Sequence, residues 1–419
     1  MGRYIIKGGN KLDGKVRING AKNSCLPIMA ASVLNGSLSK IIDVPHLKDV
    51  SVMIEILQYL GATVTRTEQM LHIDTTNVKN YEVPEYLMRR MRSSIFLMGP
   101  ILGRFGKVRV SYPGGCDIGP RPVDLHLKGL RQLGANIVEE HGYIEAEASQ
   151  LSGAEIHLDY PSVGATENLM MAAVLAKGTT VIQNSAKEPE IVDLQNFLNG
   201  MGARIRGAGT ETIRIDGVTK LTSVEHTVIP DRIVAGTFLI AGAITGGRVV
   251  VQNVIKEHLD AVIAKLREAG CKIILGEDYI ILEGINPIKS IDVIRTLPYP
   301  GFPTDLQAPM MALMTVSNGI TVLTETVFEN RFKHVDELRR MGANIKVNGN
   351  TAVIEGVKKL NGAFVEAKDL RAGAALILAG LTAEGTTIVE GAHSIERGYE
   401  QIEKKLKDIG ADIVKVDKH

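Results

Sequence analysis

The sequence predicts an α/β protein of six repeated units set about pseudo-symmetry axes, and three observations carry that prediction. A glycine recurs at Gly61, Gly134, Gly202, Gly270, Gly342 and Gly410, with gaps of 73, 68, 68, 72 and 68 residues. Leucine stands four positions before each (Leu57, Leu130, Leu198, Leu266, Leu338, Leu406), and a β-branched residue three positions after (Val64, Ile137, Ile205, Ile273, Ile345, Ile413). Upstream of each lies a second helical stretch, nearly all apolar, as in Met170-Met171-Ala172-Ala173-Val174-Leu175-Ala176. The first two patterns describe an amphipathic helix, a glycine C-cap and an entering strand, written six times. The third describes helices that are apolar all round and therefore buried.

The apolar helices are expected to end at Gly36, Gly106, Gly178, Gly247, Gly319 and Gly385, each 23 to 28 residues before its partner glycine. Each unit then holds one buried helix, one amphipathic helix and strands between. Cys271 fills the slot taken elsewhere by Ala62, Ala135, Ala203, Ala343 and Ala411, and Cys25 begins a buried helix. Both cysteines therefore belong to the core.

With 419 residues there is room for two or more sizeable cores. Lys+Arg 48 against Asp+Glu 47 leaves a net charge of +1, so no bulk field draws the chain to nucleic acid or membrane. An anionic ligand must be held by a local cluster. Aromatic content of 4% with no Trp disfavours stacking on single-stranded nucleic acid. Three scattered cysteines suit neither a disulfide framework nor a zinc site. The histidines show no metal-ligand spacing, and His334 and His393 are expected at the surface or behind a site. No apolar signal core or membrane-length apolar run is present, so the chain reads as cytoplasmic and soluble.

Chemistry collects at two places in the repeat. The first is the loop Tyr112-Pro113-Gly114-Gly115-Cys116-Asp117-Ile118-Gly119-Pro120-Arg121-Pro122-Val123-Asp124, between a strand around Val108-Arg109-Val110 and a helix over Leu125–Leu133. Its glycines and prolines exclude regular structure, and its length suits a binding loop or lid. Flanking glycines leave the Cys116 thiol little to bury it, and the nearby Arg121 favours a reactive thiolate. The second place is the start of each buried helix, where Lys22-Asn23, Arg92, Ser162-Val163-Gly164, Asp231, Asp305 and Asp369-Leu370-Arg371 fall. Asp231 and Asp305 suit plain N-caps. Cations there oppose the helix dipole, so Lys22, Arg92 and Arg371 require another reason, and an anionic ligand supplies one. The loops around Phe328-Glu329-Asn330-Arg331 and Ser394-Ile395-Glu396-Arg397 add two more arginines.

In these residues the chain resembles the UDP-N-acetylglucosamine 1-carboxyvinyltransferases, the enolpyruvyl transferases of peptidoglycan synthesis. The resemblance spans essentially the whole chain. It rests on Asn19-Gly20-Ala21-Lys22-Asn23, the Cys116 loop through His126, Ser162 to Asn168, Tyr299 to Asp305, Phe328 to Phe332, Asp369 to Gly373, and Glu396 to Tyr399. It implies two inside-out α/β barrel domains of three repeats each, 22–229 and 1–21 plus 230–419, with the active site in the cleft between. It implies transfer of enolpyruvyl from phosphoenolpyruvate to the 3′-hydroxyl of UDP-N-acetylglucosamine, with release of phosphate through a tetrahedral intermediate. Neither metal nor redox cofactor is implied, and the partners are these two small molecules.

By position, Asp305 is the implied general base, and Cys116 the implied proton donor, open to a covalent adduct with phosphoenolpyruvate or fosfomycin. Lys22, Arg92, Arg121 and Arg397 are implied to bind phosphoenolpyruvate, with Arg371 and Asp369 supporting them. Asn23, Arg121, Pro122, Val123, Asp124, Leu125, Ser162, Val163, Gly164, Asp305 and Val327 are implied to hold the nucleotide sugar. Two departures from the family pattern are Tyr160-Pro161, where relatives carry a basic residue beside the diphosphate, and Asp117, whose charge would raise the Cys116 thiol. Competing readings are the shikimate-pathway enolpyruvyl transferase and a silent nucleotide-sugar-binding paralogue. The Cys116 loop weighs against the first, and the joint presence of Lys22, Cys116, Asp305 and Arg397 against the second.

Overall fold

The six repeat glycines take φ between 91° and 106°, the left-handed conformation that stops a helix and admits a strand. The leucines four residues earlier are all buried, so each outer helix is pinned at its last turn. In the second glycine set, Gly36, Gly106, Gly178, Gly319 and Gly385 also have positive φ. The fourth repeat departs from expectation, because Gly246, not Gly247, makes the turn (φ 61°). Gly247 is needed for another reason. A Cβ there would lie 2.1 Å from the carbonyl oxygen of Leu12, so only glycine permits that approach.

The computed structural model describes residues 2–112 and 123–417. Among the described residues twelve principal helices follow in pairs, one buried and one outer per repeat. They are α1 (Lys22–Ala31) and α2 (Lys48–Tyr59), α3 (Met98–Phe105) and α4 (Asp124–Gln132), α5 (Val163–Ala173) and α6 (Pro189–Gly200). The remaining pairs are α7 (Arg232–Ile244) and α8 (Asp260–Glu268), α9 (Gln307–Met314) and α10 (Val335–Arg340), α11 (Leu370–Thr382) and α12 (Ile402–Asp408). None of the described helices is long and apolar enough to cross a membrane.

Each repeat also contributes to a four-stranded sheet with one recurring pattern: an edge strand parallel to its neighbour, then two antiparallel pairings. Strand residues alternate buried and exposed, so one face of each sheet meets the apolar helices. Chain ends close two of these sheets. Arg3–Lys7 lies between Thr386–Glu390 and Asp412–Val416, and Asp13–Arg17 pairs with Arg248–Gln252.

The chain divides into two compact units, one of residues 2–19 and 230–417, the other of residues 20–112 and 123–229. In the first, α7, α9 and α11 pack on one another and their side chains form one core with Tyr4, Ile6 and Ile18. In the second, α3 packs on α5 and α1 on α6, around a separate core that includes Cys25, Leu57 and Leu130. Cys25 and Cys271 are both buried. Burial pushes the Cys25 thiol up to about 12 and the Cys271 thiol up to about 11, which leaves both unreactive.

One buried group sits in conflict with this packing. Both carboxyl oxygens of Glu167, on α5, are buried without a hydrogen-bond partner. Burial first, and then the charges of Glu190 and Glu188, hold its pKa well above the usual carboxylate range. In the unfolded chain a glutamate ionises near pH 4.3. Above that pH the unfolded state releases a proton that the folded state keeps, so folding stability falls as pH rises. Glu167→Gln removes this titration. Denaturation at pH 5 and pH 8 should show the variant gaining on the wild type by about 1 kcal/mol or more across that interval.

Candidate active site

In the unit of residues 230–417, Asp305 occupies the 3-10 turn Thr304–Leu306 that leads into α9. It was expected to suit a plain helix cap, and its side chain does something else. Arg331 Nη2 donates to Asp305 Oδ1 at 2.6 Å, and Arg331 Nη1 donates to Thr304 Oγ1 at 2.6 Å. Arg371 donates to Asp305 Oδ2 through Nε at 3.2 Å and Nη2 at 3.1 Å. Both arginines are buried, at 6% and 3% exposure, while the Asp305 side chain is 25% exposed, so these are partly desolvated ion pairs and not the surface pairs that lone arginines usually make.

The cluster is held from behind. The Arg371 guanidinium lies 5.2 Å over the Tyr399 ring, and the Tyr399 hydroxyl is 3.0 Å from Thr237 Oγ1 on α7. Burial opposes the charge on Arg371, but Tyr399, Asp305 and Asp231 outweigh it and hold the guanidinium more firmly protonated than usual. On the other side, buried Glu325 accepts from Thr304 Oγ1 (2.8 Å), Thr296 Oγ1 (2.9 Å), and the N–H groups of Val327 (2.8 Å) and Phe328 (3.1 Å). Glu325 therefore fixes both the turn carrying Asp305 and the backbone at Val327. Asp369 and Asp231 are N-caps: Asp369 Oδ1 accepts from the N–H of Arg371 and Ala372, both 2.9 Å, and Asp231 from Ile233 and Val234. Capping by Asp369 sets the first turn of α11 and with it the stem of Arg371. Arg397 is half-buried in the turn after helix Ala392–Ile395.

His334, expected at the surface or behind a site, is 3% exposed at the start of α10, which leaves only the second of these. Burial is the largest influence on its ring and lowers its pKa to about 4.

In the unit of residues 20–229, Lys22 opens α1 and is buried, with Nζ 3.2 Å from Asp49 Oδ2. Asn23 follows it, half-buried. Arg92 begins the 3-10 segment Arg92–Leu97. Val123 is buried, Leu125 half-buried, and Asp124 exposed in the first turn of α4. Ser162 caps α5, its Oγ accepting from Ala165 N at 3.3 Å, with Val163 and Gly164 in the first turn. A capped helix start with a glycine in its first turn is a ready anion site. Cys116, Arg121, Pro122 and Asp117 lie outside the described residues.

His126 adds a group that the list of expected binding residues lacked, although it ends one of the motifs. Asn168 Oδ1 accepts from Gly99 N at 2.5 Å, which fixes its amide. Its Nδ2 then donates to Ile95 O (3.0 Å) and faces His126 Nδ1 at 3.0 Å. Nδ1 must accept, so neutral His126 carries its proton on Nε2. That nitrogen lies against Gly164, 3.4 Å from where a Cβ would stand. Burial first, and then Arg92, push the His126 pKa down to about 4.

The model of the family described as EPSP synthase (3-phosphoshikimate 1-carboxyvinyltransferase) matches residues 6–406. UDP-N-acetylglucosamine 1-carboxyvinyltransferase 2 of Caldanaerobacter subterraneus subsp. tengcongensis is 57% identical over 416 residues, covering 99% of this chain and 100% of its own. UDP-N-acetylglucosamine 1-carboxyvinyltransferase 1 of Symbiobacterium thermophilum is 59% identical over 420 residues, covering 99% and 95%. Among solved structures, the enolpyruvyl transferase NikO from Streptomyces tendae superposes with a TM-score of 0.90 at 25% identity, over 99% of this chain and 98% of that one. An EPSP synthase from Acinetobacter baumannii shares the fold, with a TM-score of 0.78 at 18% identity over the full length of both chains.

Proposed function

The chain belongs to the EPSP synthase family of enolpyruvyl transferases and, within it, to the UDP-N-acetylglucosamine 1-carboxyvinyltransferases, and on that premise we propose the following reaction. The protein transfers the enolpyruvyl group of phosphoenolpyruvate to the 3′-hydroxyl of UDP-N-acetylglucosamine and releases phosphate, an early step of peptidoglycan synthesis. The observation that supports the role of Asp305 is its carboxylate, 25% exposed, gripped by two buried guanidiniums.

The chemistry runs by addition and elimination. The sugar oxygen attacks C2 of phosphoenolpyruvate while Asp305 accepts the hydroxyl proton and Cys116 protonates the C3 methylene. The resulting tetrahedral phospholactoyl adduct loses phosphate when C3 gives back a proton and the C2–O bond to phosphate breaks. Lys22, Arg92, Arg121 and Arg397 hold the carboxylate and phosphate, with Arg371 and Asp369 behind them. Asn23, Arg121 to Leu125, Ser162 to Gly164, Asp305 and Val327 hold the nucleotide sugar.

The ion pairs around Asp305 add a condition to this sequence of events. Each oxygen of Asp305 already accepts from a guanidinium. An anion arriving at Arg371 competes for that guanidinium and frees Oδ2 to take the hydroxyl proton. Binding of phosphoenolpyruvate thereby prepares the base.

Phosphate release from phosphoenolpyruvate, with and without UDP-N-acetylglucosamine, tests the proposal. Release should require the nucleotide sugar and should stop after treatment with fosfomycin, which alkylates the Cys116 thiol. Release that survives the drug would remove Cys116 from its role, and no release at all would overturn the reaction.

A further inference from the structure

Helix α1 begins without a capping side chain, since its N-cap is Ala21. Its first turn also carries buried Lys22, a cation set against the positive end of the helix dipole. Asp49 meets the Lys22 ammonium at 3.2 Å, and a second carboxylate, from another helix, holds that turn. Asp193, on α6, is 2% exposed. Its Oδ2 accepts from Ser24 Oγ in the first turn of α1 and from Ile229 N at 3.2 Å. Its Oδ1 lies 2.8 Å from His226 Nε2, and the His226 ring stands edge-on to Phe197, with centroids 5.6 Å apart.

These contacts meet where the chain enters and leaves the unit. Gly20 N donates to Asp43 O at 3.1 Å, and a Cβ on Gly20 would stand 2.1 Å from that oxygen, so the entering backbone is tightly seated. Ala21 N donates to Ile229 O at 2.7 Å, which joins the entering strand to the departing one. Asp193 then grips both strands, one through Ser24 and the other through Ile229.

We propose that Asp193 is a positioning residue for Lys22 and Asn23: by tying Ser24 and Ile229 together it sets the start of α1 that presents them. The proposal rests on the reading that Lys22 and Asn23 bind the substrates. Displacing a substrate-holding group by about 1 Å can cost about 100-fold in rate. A carboxylate fits the task because it accepts from three groups at once. An amide keeps the shape but turns one acceptor into a donor, facing either the serine hydroxyl and Ile229 N–H or the imidazole.

The test is a double-substitution cycle on the full chain, reading kcat/KM for phosphoenolpyruvate and the thermal unfolding midpoint. Asp193→Asn should lower kcat/KM by about 10- to 100-fold with the midpoint largely kept. Combined with Lys22→Ala, it should cost little beyond Lys22→Ala alone, because both changes remove the same placed ammonium group. Independent, additive losses are what a merely structural role produces, and they would overturn the proposal. So would an Asp193→Asn enzyme within about twofold of wild type. Should Asp193→Asn fail to fold, Ser24→Ala breaks a single contact and is read by the same coupling to Lys22→Ala. Wild-type activity in Lys22→Ala would defeat the substrate-binding reading of Lys22 itself, and the proposal with it.

Discussion

Asp305→Asn should lower kcat by about 100- to 10,000-fold, the range that a positioned general base contributes. The same change strips two buried guanidiniums of their shared counter-charge. Removing one partner from a buried ion pair costs about 3–5 kcal/mol, so the variant should also unfold more easily. The two effects are separable. Inorganic phosphate can take the place of the missing carboxylate beside Arg331 and Arg371. It should therefore raise the unfolding midpoint of Asp305→Asn more than that of the wild type, while leaving turnover low. If the variant turned over at nearly the wild-type rate, Asp305 would not be the base.

Arg331→Ala comes second in expected effect. This side chain spans Asp305 Oδ1 and Thr304 Oγ1, and Thr304 is in turn held by Glu325. Without it, Asp305 loses the guanidinium at Oδ1 and can swing toward Arg371. A drop in kcat of about 100-fold is expected, the scale set by misplacing a catalytic group by about 1 Å. A stability loss of about 3 kcal/mol should accompany it. Arg331→Lys should recover little, because one ammonium cannot reproduce the fork that reaches two acceptors in fixed geometry. Steady-state kinetics and denaturant unfolding of the two variants read both effects. Full activity in the lysine variant would show that charge alone suffices.

What could be read from the sequence was local. The glycine at each helix end and the leucine one turn earlier are a single cap motif. Six copies at near-constant spacing announced six units before any contact was known. Burial of α7 and α11 was legible because few residues in them have anywhere else to go. Long-range pairings left no such mark. Arg371 meets Asp305 across 66 residues, and Ser24 meets Asp193 across 169. Asp305 looked like a cap because aspartate before a helix usually is one, and only the fold brings two arginines to it. Glu325 did leave a signal that went unused. In the strand Ile320–Thr324, Thr321 and Leu323 are buried, and a period of two continues to Glu325. A carboxylate at an inward position must have partners, which is a reason to look for them.

Product analysis after turnover in heavy water tests the enolpyruvyl transfer and its route together. The protein is incubated with UDP-N-acetylglucosamine and phosphoenolpyruvate in deuterium oxide, and the products are read by mass spectrometry. Addition–elimination places a solvent proton on C3 and then removes one of the three from the resulting methyl group. The expected product is a nucleotide sugar heavier by one enolpyruvyl group, part of it carrying deuterium at the vinyl carbon. A product formed with no deuterium would contradict the tetrahedral route, and an unmodified nucleotide sugar would contradict the transfer.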